Sequence, residues 1–230
     1  MIAVLKEHLV IQNKVKEKLA EKEKIYINKN LVHKSDHCDN RDWLDLIMAA
    51  LKELGLEAQY DLMIDASGGD LWTGKEYLFN ITINVSLSSE EMCTYLLDLI
   101  KGHNLKILED PFHENDFDSW QNLTKNQTKC KIVGDNLYSG DTQRIAQGIS
   151  KNYTHGIILK PNQAGSVSNT IKAINLVQQH NHMLIMSHRS ISTESTFLAH
   201  ISNKYNTEYI KNGLYLRIIL RLFGSTNLFV

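Results

Sequence analysis

Seven short apolar runs in this sequence each end in a polar residue, and the types of those residues suggest chemistry. Asp65 closes the run LMIDAS (62–67), Glu109 closes KILED (106–110), and Asp135 closes KIVGDN (131–136). Lys160 follows GIIL in 156–162, His188 follows MLIMS in 183–190, Lys211 ends YIK in 209–213, and Asn30 ends IYINKN (25–30). Asp65, Glu109 and Asp135 come from three consecutive runs. Brought to one place, three carboxylates repel one another unless a hard divalent cation lies among them, and oxygen ligands suit magnesium. Lys160, His188, Arg189, Ser190 and Lys211 make the opposite flank basic and rich in donors. Acids on one side and cations on the other fit a substrate that carries carboxylate and phosphate and is chelated to metal.

Such residues converge only if the elements beneath them are arranged to bring them together. From Asp65 onward the terminators are 44, 26, 25, 28 and 23 residues apart, the period of a strand, a loop, a helix and another loop. Residues 42–55 carry Trp43, Leu46, Ile47, Ala50 and Leu51 on one helical face, with Gly55 as a stop. Residues 89–102 repeat this through Met92, Tyr95, Leu96, Leu99 and Ile100, with Ser89 as cap and Gly102 at the end. Residues 166–179 do so through Val167, Ile171, Ile174 and Val177. Short strands alternating with helices predict a parallel sheet with helical crossovers, and seven in succession favour an α/β barrel over an open sheet. The 44-residue interval holds residues 68–87, where Thr73-Gly74-Lys75 and the alternation of Tyr77, Phe79, Ile81 and Ile83 predict a hairpin or extended excursion. In a barrel the mouth at the C-terminal strand ends gathers all these terminators into one site.

Composition narrows the function. Hydrophobic residues make up 43% and charged residues 22%, and 25 basic residues face 26 acidic ones for a net charge of −1. That balance speaks against an electrostatic grip on nucleic acid or an anionic membrane. No apolar run approaches the roughly 20 residues that cross a bilayer. Residues 1–10 read as a short amphipathic stretch rather than a signal peptide. Cys38, Cys93 and Cys130 are odd in number and widely spaced, which suggests idle thiols in a reducing compartment, and the cytoplasm is expected. His33, Asp36, His37 and Cys38 cluster but have no matching partner at ligand spacing, so they read as loop residues.

At these residues the chain resembles the enolases. The segments LEDPF (108–112), IVGD (132–135), IILKPNQAG (157–165) and SHRS (187–190) stand in the order and spacing of enolase signatures, and IKNG (210–213) is similar to the family's Ile-Lys-Thr-Gly. The wording around Glu109 and Pro161 looks archaeal. The resemblance implies an incomplete TIM-like enolase barrel of about seven of the eight strands, over residues 25–213. A helical extension (1–24) precedes it and a divergent apolar tail (214–230) follows. It implies a magnesium-dependent, cytoplasmic lyase of glycolysis, phosphopyruvate hydratase, that dehydrates 2-phosphoglycerate to phosphoenolpyruvate. Asp65, Glu109 and Asp135 match the metal ligands, and Lys160 matches the base that takes the proton next to the substrate carboxylate. Lys211 matches the lysine on that carboxylate. Arg189 and Ser190 match phosphate ligands, and His188 matches a histidine near the leaving hydroxyl.

The sequence departs from the family in three places. Where enolases carry Gly-Asp-Glu-Gly-Gly, with the Glu as general acid, this chain has Asn28-Lys29-Asn30-Leu31-Val32. A capping domain and a first barrel strand are expected to be absent, and the family's final helix pattern is missing from the tail. The expected partners are therefore the small-molecule substrate and a separate N-terminal enolase subunit or a second copy of the chain. The competing reading is an inactive enolase-like fragment that binds metal or partners. A related acid-sugar dehydratase is a third, set back because SHRS implies a phosphorylated substrate.

Overall fold

The computed structural model describes residues 2–22, 26–27, 33–34, 40–79, 85–189 and 195–211. In chain order the elements begin with α1 (Ile2–Lys22), β1 (Tyr26–Ile27), β2 (His33–Lys34) and α2 (Asn40–Glu53). Then come β3 (Met63–Asp65), α3 (Gly68–Leu71), β4 (Tyr77–Phe79), β5 (Val85–Leu87) and α4 (Ser89–His103). The remainder alternates regularly: β6 (Ile107–Glu109), α5 (Phe117–Asn126), β7 (Lys131–Gly134), α6 (Thr142–Lys151) and β8 (Gly156–Leu159). It ends with α7 (Pro161–Ala164), α8 (Val167–Gln179), β9 (Met183–Ser187), α9 (Phe197–Lys204) and β10 (Tyr209–Lys211). These elements divide into two compact units, Met1–Leu62 with Thr73–Leu105, and Met63–Trp72 with the chain from Lys106 on. No helix among the described residues is long and apolar enough to cross a membrane.

The first unit is built on a helix pair. Ile11, Val15 and Leu19 recur every four residues on one face of α1 and are buried against Leu46, Ala50 and Leu51 of α2. Gly55 ends this segment at φ +67°, a left-handed conformation that lets the Leu56 N–H reach back to the Leu51 carbonyl at 2.8 Å. The cap of α4 is Ser88, one residue before the expected Ser89. Its Oγ accepts from the Glu91 N–H, and the Glu91 carboxylate accepts from the Ser88 N–H, so two orphan donors are satisfied together. The helix also runs past Gly102 to His103 because Asn104 takes the left-handed cap at φ +50°. The expected hairpin is β4 with β5, antiparallel through Tyr77–Leu87 and Phe79–Val85. Ile81 and Ile83 lie outside the described residues.

The second unit carries a parallel sheet in the order β10-β9-β8-β7-β6-β3. Its inner strands read as continuous apolar runs, as sheets covered on both faces require: all four residues of β8 are buried, and Ile107, Val133, Ile158 and Ile185 pack together from four adjacent strands. Laid flat, six strands would hold their edges about 24 Å apart. Yet the Lys211 ammonium on edge strand β10 lies 3.0 Å from the Asp65 carboxylate on edge strand β3. The sheet is therefore curled, an incomplete α/β barrel.

Among the described residues six parallel strands form it. The run at 25–30 contributes only Tyr26–Ile27 to the described structure, paired antiparallel with His33–Lys34. The remaining residues of that run lie outside the described ones.

Candidate active site

At the C-terminal ends of the parallel strands, the terminators gather into two knots, each pairing a lysine with carboxylate. In the first, Lys211 Nζ at the end of β10 donates to Asp65 Oδ2 at 3.0 Å and to both oxygens of Glu109 at 2.8 and 2.7 Å. In the second, Lys160, one residue past β8, donates to Oδ2 of Asp135, one residue past β7. Glu109 is fully buried and Asp135 is 5% exposed. Burial drives the Glu109 carboxyl well above the usual range; Lys211 offsets part of this, while Asp65 and Asp135 add to it. Burial also pushes Asp65 up, but Lys211 and the Ser67 donors outweigh it and hold that carboxyl below its ordinary value. Burial acts on Lys211 in the opposite sense and would lower it, yet Glu109 and Asp65 keep it raised. Both the Ser67 N–H and its hydroxyl donate to Asp65 Oδ1 at 3.1 Å.

His188 follows β9 and is half-buried, and its N–H donates to the Lys211 carbonyl at 3.1 Å. Burial lowers its imidazole, opposed by a backbone hydrogen bond to Arg189 and assisted by the charges of Lys211 and Lys160. His188 thus shares one electrostatic neighbourhood with both lysines. Arg189 is exposed at the rim. Ser190 and Asn30 lie outside the described residues, as do Asp36, His37 and Cys38.

Asp65, Glu109 and Asp135 were expected to meet as one ligand group. Among the described residues, no three His, Cys, Asp or Glu side chains are gathered so as to hold a metal ion. Each of the three lies against a lysine instead, and for the buried Glu109 and Asp135 a desolvated carboxylate requires such a counter-charge. The donors still suit a hard cation: all are carboxylate oxygens, and Asp135 Oδ1 is buried with no hydrogen-bond partner among the described residues.

Sequence reasoning passed over Asp110, which is 3% exposed directly behind Glu109. Its carboxylate accepts from the main-chain N–H groups of Asp135 (2.9 Å) and Asn136 (2.8 Å). The available signal was an acid placed immediately before a proline at a strand end. Sequence reasoning also passed over Gly68, where an added Cβ would lie 2.5 Å from the Pro111 carbonyl oxygen. Only glycine permits the loop after β3 to approach the loop after β6 this closely.

Comparison with known proteins agrees with the incomplete barrel. Residues 27–220 match the family described as enolase, C-terminal TIM barrel domain. An enolase of Saccharolobus solfataricus is 35% identical over 175 residues, which cover 76% of this chain and 42% of that protein. An enolase of Archaeoglobus fulgidus is 34% identical over 162 residues, covering 70% and 39% respectively. One of Methanococcoides burtonii is 34% identical over 173 residues, covering 75% and 40%. The chain thus spans about two-fifths of the length of these archaeal relatives. With a family match over most of its length and relatives at this identity, the chain belongs to the enolase family, in the region of its C-terminal barrel.

Proposed function

We propose that this chain supplies the catalytic barrel of a phosphopyruvate hydratase that dehydrates 2-phosphoglycerate to phosphoenolpyruvate in the cytoplasm, working with a separate N-terminal subunit or a second copy of itself. Residues 25–213 act as the barrel in this reading, with 1–24 as a helical extension and 214–230 as a tail. The observation that carries it is the pair of lysine–carboxylate knots, Lys211 with Asp65 and Glu109, and Lys160 with Asp135, at one end of a parallel sheet. Asp65, Glu109 and Asp135 would hold magnesium, which supplies positive charge against the extra negative charge that builds on the substrate carboxylate.

The chain's own residues account for the proton and the binding contacts. Lys160 Nζ takes the proton from C2, and the electron pair of that C–H bond moves into the carboxylate. For this the side chain first gives up Asp135, its present partner, together with the proton it donates there. Lys211 exchanges Asp65 and Glu109 for the substrate carboxylate and steadies the dianion. Arg189 and Ser190 bind the phosphate. In the second step the electron pair returns from the carboxylate to form the C2=C3 bond, the C3–oxygen bond breaks next to His188, and the departing hydroxide takes a proton from solvent. Cys130 takes no part: it is buried, and burial pushes its thiol up to about 12.

The test is exchange of the substrate's C2 proton with deuterated water in the presence of magnesium. The wild-type chain is expected to exchange, while Lys160→Ala loses exchange and retains metal binding by calorimetry. Exchange that persists in the variant moves the base elsewhere.

A second reading, an enolase-like protein that binds metal or partners without turnover, is favoured by Asn30, which stands where the family carries its acidic glutamate. Asparagine donates no proton at neutral pH, and general acid catalysis is worth about 10²–10⁴-fold. Complete absence of exchange from a folded, metal-bound chain selects that reading.

A further inference from the structure

Three strand ends meet at Asp110. Its N–H donates to the Val133 carbonyl on β7 at 3.1 Å, and its own carbonyl accepts from the Gly68 N–H, in the segment that follows Asp65, at 2.8 Å. Its two carboxylate oxygens are divided between two successive amides, Oδ1 accepting from Asp135 and Oδ2 from Asn136. One buried residue thus fastens together the segments that carry Asp65, Glu109 and Asp135. It does so at φ +42°, a left-handed conformation that a non-glycine residue keeps only where its surroundings over-determine it. Glycine would adopt that φ without strain, so conformation does not explain an aspartate at this position. The carboxylate does.

We infer that Asp110 is a positioning residue: its carboxylate clamps the main chain of residues 135 and 136, fixing the direction in which Asp135 leaves β7 and keeping Asp135 Oδ1 presented for a divalent cation. The inference rests on the reading of Asp135 as a metal ligand. Two N–H groups side by side need two acceptor oxygens at a set distance. Asparagine offers one oxygen and turns an NH₂ toward the second amide, so it holds half the clamp. Glycine keeps the backbone turn and holds none of it. Outer groups that orient a ligand in this way commonly change metal affinity by about 10–100-fold when removed.

The test titrates Mn²⁺ alone into the full chain as wild type, Asp110→Asn and Asp110→Gly, with thermal unfolding and circular dichroism recorded for each. The expected result is a loss of affinity of about 10–100-fold in folded Asp110→Gly and a smaller loss in Asp110→Asn. Equal affinity in all three folded proteins overturns the inference, since a residue needed only for the turn is replaced by glycine without loss. Amide hydrogen exchange on the wild type gives a second measurement that needs neither metal nor variant. Slow exchange at Asp135 and Asn136 supports the clamp even if the variants fail to fold, and exchange as fast as in an open loop refutes it. If the wild type binds no Mn²⁺, the functional reading of the carboxylates fails, while amide exchange still decides whether the clamp exists.

Discussion

Lys211 occupies the place between Asp65 and Glu109 where a bound cation would do the same electrostatic work. Replacing it by Met, which preserves most of its length, leaves the fully buried Glu109 without its counter-charge. The expected cost is about 2 kcal/mol, below the roughly 3–5 kcal/mol of a fully buried broken pair, because the lysine is partly exposed and Glu109 can take up a proton. Urea denaturation of Lys211→Met should show this loss without metal, and millimolar magnesium should reverse it. Stability unchanged in the metal-free variant would mean that the pair contributes nothing. At this scale the sequence was informative where chemistry marks a strand end: Asp65, Glu109, Asp135, Lys160, His188 and Lys211 could be named from type and spacing alone. It was uninformative about Asp110 because Glu109 and Asp110 are adjacent acids. Neighbouring residues at a strand end project to opposite sides, and composition does not tell which of the two faces the mouth. The counter-charges were also hidden, since pairing partners 25 to 146 positions apart leave no local trace.

Strands in this chain were more legible than helices. The β8 run is apolar throughout and β9 is apolar up to Ser187, whereas α5 buries only Trp120, Leu123 and Thr124, and α6 only Ile145, Gly148 and Ile149. Three buried positions in a ten-residue helix make too short a periodic pattern to stand out in the sequence. The start of β8 carries a testable pH effect. The Ile132 N–H of β7 donates to His155 Nδ1 at 3.0 Å, which requires that nitrogen to be unprotonated. Burial lowers the His155 imidazole from its ordinary 6.5, with Lys131 and His182 adding to the effect and a Gln127 backbone bond opposing it. As pH falls through about 6.5 the unfolded chain takes up this proton while the folded chain resists, so folding loses stability toward acid. His155→Gln, whose side-chain oxygen accepts the same N–H without titrating, should flatten part of the decline in stability between pH 7 and 5.5. Identical slopes for the two proteins would show that His155 is not held neutral by the fold.

For the whole molecule, the chain spans about two-fifths of the relatives it matches, and the proposed reaction divides into two steps. Proton exchange needs chiefly the mouth residues, whereas loss of hydroxyl also needs a proton donor and exclusion of water. Adding a separately produced N-terminal enolase domain is therefore expected to raise dehydration far more than proton exchange, with both followed on the same substrate. Equal stimulation of the two steps would contradict that division of labour. The barrel's curl has a further consequence for the order of events during folding. Strands that neighbour one another along this sheet are mostly neighbours in the chain, so registration can spread from each to the next across short loop closures. The contact between Asp65 and Lys211 spans 146 positions and waits until the four intervening strands are in place. Long-range contacts of this kind are reached late, after the entropy of every smaller loop has been surrendered. The Lys211 knot is thus expected to be the last part of the site to assemble, whereas Lys160 and Asp135, on neighbouring strands, can meet earlier, so a chain caught partway would hold half a mouth.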